Sequence, residues 1–161
     1  MSRGSWRGLA VLLALFALGH TLGTAVPHVT RGAAEASVFQ AMRSFRFPVM
    51  GFERSYWDFY RGFALTISVQ MAFIAAIAWQ VGDVSRHSPR QALPMAIAVL
   101  LCCIGVAVTS WFFFFGAPIV FSFAAAGWAA VLVMQLVRAA PGTVPGAQSH
   151  NDGGAPVPTT M

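Results

Sequence analysis

The sequence predicts an all-α fold: a four-helix transmembrane bundle with an interfacial amphipathic helix between the first and second spans. Three observations carry this expectation. Hydrophobic residues make up 57% of the 161 residues and charged residues only 9%, whereas a soluble domain carries roughly 25% charge. Four apolar runs each approach or exceed the roughly 20 helical residues that cross a bilayer core of about 30 Å. The one sizeable segment between spans has a helical apolar period instead of a loop-like composition. A surface facing hydrocarbon accounts for the charge deficit, because a charged side chain at bilayer depth costs about 2.5–3.5 kcal/mol on insertion scales.

The first span is expected over residues 6–26, closed by Pro27. A rival reading is a cleaved signal peptide. Arg3 and Arg7 resemble its basic region, and Gly23 and Ala25 are small residues suited to cleavage after Ala25. The length of the apolar run and the polar His20 within it favour a retained span. Residues 27–56 then form the long connection. Within it Ala34, Val38, Ala41, Met42 and Phe45 share one helical stripe, with Glu35, Ser37, Gln40, Arg43 and Ser44 off it. Such a helix beside membrane spans is expected to lie in the interface plane. Pro48 and Gly51 break it.

The second span is expected over residues 57–81, ended by Gly82, and the third over 92–115 with Pro94 in its first turn. The fourth is expected over 118–137, with Pro118 near a helix start, where proline is tolerated. A link of Gly116 and Ala117 makes the last two spans an antiparallel hairpin. Residues 1–140 thus form a four-span domain. Residues 141–161, rich in Pro and Gly and poor in bulky apolar side chains, are expected to be a disordered tail.

All ten basic residues are Arg, with net charge +5. They flank apolar runs as interface anchors, which argues against nucleic-acid binding. Spans three and four have arginines only toward Arg86, Arg90 and Arg138, so both termini are expected in the cytoplasm. Cys102 and Cys103 are adjacent, about 100° apart on a helix, and form no metal spacing. No phosphate loop, HExxH, CxxC or GxSxG occurs, and no cofactor or metal is expected.

Polar residues within spans are the candidate functional groups, since each is costly there. Alternating span directions put His20, Thr21, Thr24, Asp58, Tyr60, Arg61, Thr66, Thr109, Ser110, Trp111 and Ser122 in one half of the bilayer, beside the long connection. The opposite half reads as mostly Leu, Ile, Val and Ala. The candidate ligand-binding set is His20, Asp58, Tyr60, Arg61, Ser110 and Trp111. His20 can titrate near neutral pH if water reaches it; its structural alternative is a packing histidine bonded to a hydroxyl or backbone group. Asp58 and Arg61, three apart, can pair. Ser55 and Asp58 also match a capping box, which is a sufficient structural reading by itself. Gly19 and Gly23 have GxxxG spacing. Gly62, Ala72, Ala75 and Ala76, on one broad face with Arg61 and Ser68, and Ala124, Ala125, Ala126, Gly127, Ala129 and Ala130 mark expected packing faces.

Gly19-His20-Thr21 with Gly23, Met50-Gly51, and Arg54-Ser55-Tyr56-Trp57-Asp58-Phe59-Tyr60 with Gly62-Phe63 resemble an uncharacterised family of small four-helix bacterial membrane proteins. The resemblance covers roughly the first half of the chain and the span layout of the rest. It implies the four-helix fold and a bacterial inner-membrane location, and no activity. Three function classes are compatible with these residues. The first is a bundle binding a membrane lipid, a small apolar ligand or a partner helix (a second copy included) in its outer-leaflet half. The second is a membrane enzyme acting on a lipid or quinone-like substrate with His20 as acid/base. The third is a transporter component, which the apolar opposite half disfavours.

Overall fold

The structure is a computed structural model and describes residues 3–26 and 29–139. Its elements run α1 (Arg3–Ala25), α2 (Ala33–Ser44), β1 (Arg46–Val49), β2 (Phe52–Ser55), α3 (Tyr56–His87), α4 (Pro89–Phe113) and α5 (Gly116–Ala139). Four of these helices, α1, α3, α4 and α5, are long and apolar enough to cross a membrane. Pro27 and the expected tail of 141–161 lie outside the described residues.

The four long helices pack as a ring in which α1 meets α3, α3 meets α4, α4 meets α5 and α5 meets α1. Their directions alternate. Arg7 of α1 lies beside Asp83 of α3, and Phe16 stacks on Phe121 of α5. The start of α1 therefore shares one end of the bundle with the α3–α4 junction. The segment from Thr30 to Ser55 and the α4–α5 link share the other, here the hairpin end.

Sequence spacing sets the packing faces. In α3 the buried residues Ala64, Ser68, Met71, Ala75, Ala78, Gly82 and Ser85 alternate steps of four and three, a single seam. Ser68 and Ala75 belong to the expected face, whereas Arg61, Gly62, Ala72 and Ala76 are exposed. They lie off that seam, and small size alone did not locate it. The seam of α1 is Trp6, Ala10, Leu13 and Ala17, continued by half-buried His20 and Thr24. In α5, Ala125 and Ala129 are buried while Ala124 and Gly127 are exposed.

The glycine that permits close helix approach is not in the GxxxG pair. A Cβ at Gly19 or Gly23 would meet no atom within 4 Å, whereas one at Gly8 would lie 2.8 Å from Trp128 Cη2. The indole of α5 therefore rests on the bare backbone of α1. In lipid such van der Waals fit, rather than water exclusion, drives helix association.

Packing is uneven along the bundle. At the end holding the start of α1, large side chains fill the interior: Trp6, Leu9, Val81, Leu132 and Leu136 are at most 1% exposed. Toward the hairpin end the buried positions are small, Ala64, Ser68, Ala107, Ser110 and Ser122. Small side chains on facing seams leave space between the helices there.

Three boundaries differ from expectation. Helix α3 continues past Gly82 to His87, because Gly82 and Ser85 remain buried in the seam. Its 32 residues span about 48 Å, longer than a bilayer core of about 30 Å. Helix α4 starts at Pro89, a favourable first position, and accommodates Pro94 internally. Its link to α5 is Phe114 and Phe115, with Gly116 and Ala117 already helical.

The all-α expectation describes the bundle but misses one element. Strands β1 and β2 form an antiparallel hairpin pairing Phe47 with Arg54 and Val49 with Phe52. Met50 and Gly51 both have positive φ, 48° and 86°, as a two-residue type I′ turn requires. The expected break at Pro48 and Gly51 is thus the hairpin itself. Helix α2 forms where the apolar stripe predicted it, with no buried residue. It rests on the start of α3, with Phe39 edge-on to Trp57 and the Arg43 guanidinium 4.4 Å from the Trp57 ring centroid.

Candidate functional site

His20 occupies the last seam position but one on α1 and meets the seam of α3. Its Nδ1 is 3.1 Å from Ser68 Oγ. The Ser68 hydroxyl also lies 3.4 Å from the Ala64 carbonyl oxygen. A serine hydroxyl carries one proton and accepts through its lone pairs. When Ser68 donates to Ala64, His20 donates through Nδ1 and turns an acceptor Nε2 outward. When Ser68 donates to His20, Nε2 carries the proton instead.

Two clefts open beside His20 and share it with Phe16, Phe114 and Pro118. The first, about 460 Å³, lies between α1, α3 and α4 and is walled by Ile67, Met71, Ile74 and Val106, with Gln70, Thr109 and Ser110 as polar points. The second, about 420 Å³, lies between α1 and α5 and reaches Gly19, Gly23, Tyr60 and Phe121. Ligand sites commonly occupy 300–1,000 Å³ and combine apolar walls with a few polar groups.

The cleft walls are apolar and their polar points few. Thr109 donates its hydroxyl to the Gly105 carbonyl at 2.9 Å, which satisfies that proton within α4. Ser110 is 2% exposed. His20 is therefore the side chain bordering both clefts that carries a titratable group.

Of the six candidate residues the structure gathers three around these clefts: His20, Ser110 and Tyr60. Arg61 lines a neighbouring pocket of about 380 Å³ with Arg43, Trp57 and Tyr60, above Gly23 and Thr24. Trp111 points away, 62% exposed and edge-on to Phe123 at 6.1 Å.

Asp58 stands apart, and its expected pair with Arg61 does not form. Its carboxylate oxygen accepts from the Ser55 amide at 2.8 Å and the Ser55 hydroxyl at 3.0 Å. Its own amide donates to Ser55 Oγ at 3.2 Å. This is the full capping box, and it holds the carboxylate on the N-terminal side of the helix start, away from Arg61. The structure bears out the structural reading of Asp58 and not its place in an interior pocket.

A polar cluster that sequence reasoning missed lies at the other end of the bundle. Arg7 Nη2 is 3.7 Å from Asp83 Oδ1, and its guanidinium is 4.5 Å from the Trp79 ring centroid. The opposite half is therefore not wholly apolar. The signal was available: Asp83 follows Trp79 by one helical turn. Ending the span at Gly82 hid it.

The fold and site define a small helical bundle with four candidate membrane spans and one histidine-bordered cleft system. No family model, curated protein or solved structure matches the chain.

Proposed function

We propose that the chain crosses a bilayer four times and binds an apolar chain, such as a lipid tail, in the cleft system around His20. The observation that supports this most is the placement of two adjoining clefts with shared walls, about 460 and 420 Å³, where the helix seams carry small residues. In this reading both termini are cytoplasmic and the clefts lie in the outer-leaflet half. The arginines at the α3–α4 junction and at Arg138 favour that orientation. The motif resemblance noted above favours a bacterial inner membrane.

Gly19 and Gly105 provide the test. Each borders a cleft, and a Cβ added at either meets no atom within 4 Å. Gly19→Phe with Gly105→Phe is expected to fold normally and fill the space. Monoolein should raise the thermal unfolding midpoint of the wild type in dodecyl maltoside and leave the double variant unmoved. Equal shifts in both would remove the cleft as the site.

One observation favours a second reading, an enzyme acting on a lipid or quinone-like substrate. His20 borders both clefts and exchanges a proton-bearing contact with Ser68. The general acid/base would then be His20, positioned by Ser68 rather than by Asp58 and Arg61. Turnover of any such substrate that survives His20→Ala unchanged would end this reading.

A further inference from the structure

The apolar cleft ends at a cationic pocket. The α1–α5 cleft and the pocket of Arg43 and Arg61 share Gly23, Thr24 and Tyr60. Arg61 lies on α3 seven residues before Ser68, the partner of His20, which is about 10 Å along the helix axis. The two spaces therefore follow one another along α1 and α3, apolar toward the bundle interior and cationic toward α2.

The charge of that pocket is uncompensated by its lining. No carboxylate lines it. The nearest acid in sequence, Asp58, is committed to the Ser55 cap. Among the described residues, no hydrogen bond or ion pair engages Arg61. Arg43 is held by its stack on Trp57, 4.4 Å from the ring centroid, which leaves its N–H edge for an acceptor. Trp57 in turn stacks on Tyr60 at 5.3 Å. Two guanidiniums lining one pocket, Arg43 over the Trp57 ring and Arg61 beside it in the lining, suit an oxyanion, which they bind through paired N–H donors.

Building on the apolar-chain reading, we propose that the ligand is an anionic amphiphile. Its phosphate or carboxylate head sits between Arg43 and Arg61, and its tail descends past Tyr60 and Thr24 to His20. The thirteen helical steps from Arg61 to Ile74, which lines the α1–α3–α4 cleft, measure about 20 Å along the helix. One leaflet with its headgroup region is about 20–22 Å, so the spaces together match one leaflet, head to tail. The failure of Asp58 to pair with Arg61 thereby acquires a role: the cap keeps a competing carboxylate off the head-group site.

Thermal unfolding in dodecyl maltoside, followed by tryptophan fluorescence, tests this with four probes: oleoyl lysophosphatidylglycerol, oleoyl lysophosphatidylcholine, monoolein and glycerol 3-phosphate. The proposal expects the lysophosphatidylglycerol to bind the wild type about tenfold more tightly than monoolein. Arg61→Gln and Arg43→Gln should each remove most of that advantage, and Arg61→Lys should keep part of it. Monoolein binding should be unchanged in all three variants. Equal affinities for the anionic lipid and monoolein, or an advantage that survives Arg61→Gln with Arg43→Gln, would overturn the anionic head while leaving the cleft reading intact. Stabilisation by glycerol 3-phosphate as strong as by the lysolipid would overturn the amphiphile in favour of a free phosphate. No response to monoolein in the wild type would strike the cleft reading itself.

Discussion

His20 Nδ1 and Ser68 Oγ, 48 residues apart in sequence, meet at 3.1 Å across the seam between α1 and α3. The contact lies where the filled part of the bundle gives way to its clefts. It joins the two helices beside the space that their small seam residues leave. Interhelical hydrogen bonds of this kind average about 0.6 kcal/mol in double-mutant cycles on a membrane protein. His20→Ala, Ser68→Ala and their combination should give a coupling of about that size, read from reversible unfolding in mixed micelles. A coupling near zero would mean the two side chains pack without bonding.

Ser55→Ala removes the half of the capping box made by the Ser55 hydroxyl, which accepts from the Asp58 amide, and leaves the residue 55 amide to donate to the Asp58 carboxylate. The expected loss is about 1 kcal/mol of stability, with α3 fraying through Tyr56 and Trp57. Amide hydrogen exchange at Asp58 and Phe59 should accelerate, and exchange near Ala78 should not. Protection unchanged at Asp58 would contradict the cap.

Gly8 and Trp128 make a different kind of contact, steric and short. Gly8→Leu must displace the indole, since even a Cβ would stand 2.8 Å from Cη2. Overpacking of this sort costs about 1–3 kcal/mol. Cutting Trp128 to Ala in the same chain should recover part of the loss. Gly19→Ala and Gly23→Ala, by contrast, should be neutral or slightly stabilising, because nothing stands near either Cβ. The reverse ranking would restore the GxxxG pair as the packing motif.

The placement of these glycines shows how far sequence carried the fold. Composition and run length gave four spans, because hydrocarbon imposes its demand on every residue of a helix alike. Seam residues were legible in α3 from the four-and-three spacing that ends in Ser85, once the helix is allowed past Gly82. The hairpin was not legible as strands. Its turn is Met50 and Gly51, and a methionine at positive φ lacks the usual asparagine or aspartate signal. For the site, His20, Tyr60 and Ser110 were found because polar residues in spans stand out. For Asp58 the sequence offered two partners, Arg61 by spacing and Ser55 by the capping-box pattern, and spacing alone does not rank them; the structure shows the cap. Arg7 and Asp83 were missed because ending the second span at Gly82 leaves Asp83 outside the helix that carries it.

Met50, 96% exposed at the hairpin tip, and Ser88, between α3 and α4, report the two ends of the bundle. With Cys102 and Cys103 replaced by Ala, Met50→Cys should react with an impermeant maleimide on intact cells. Ser88→Cys should react only after lysis. Labelling of both, or of Ser88→Cys alone, would reverse or refute the proposed orientation.

Photocrosslinking with a monoacyl lipid that carries a diazirine near the end of its tail tests the cleft most directly. After irradiation in proteoliposomes and peptide mapping, the account predicts adducts concentrated at Phe16, Val106 and Pro118. Replacing Gly105 by Phe should deplete those at Val106. Adducts spread evenly over the outward-facing residues Val69, Leu101 and Val131, with no excess in the cleft and no response to Gly105→Phe, would contradict it.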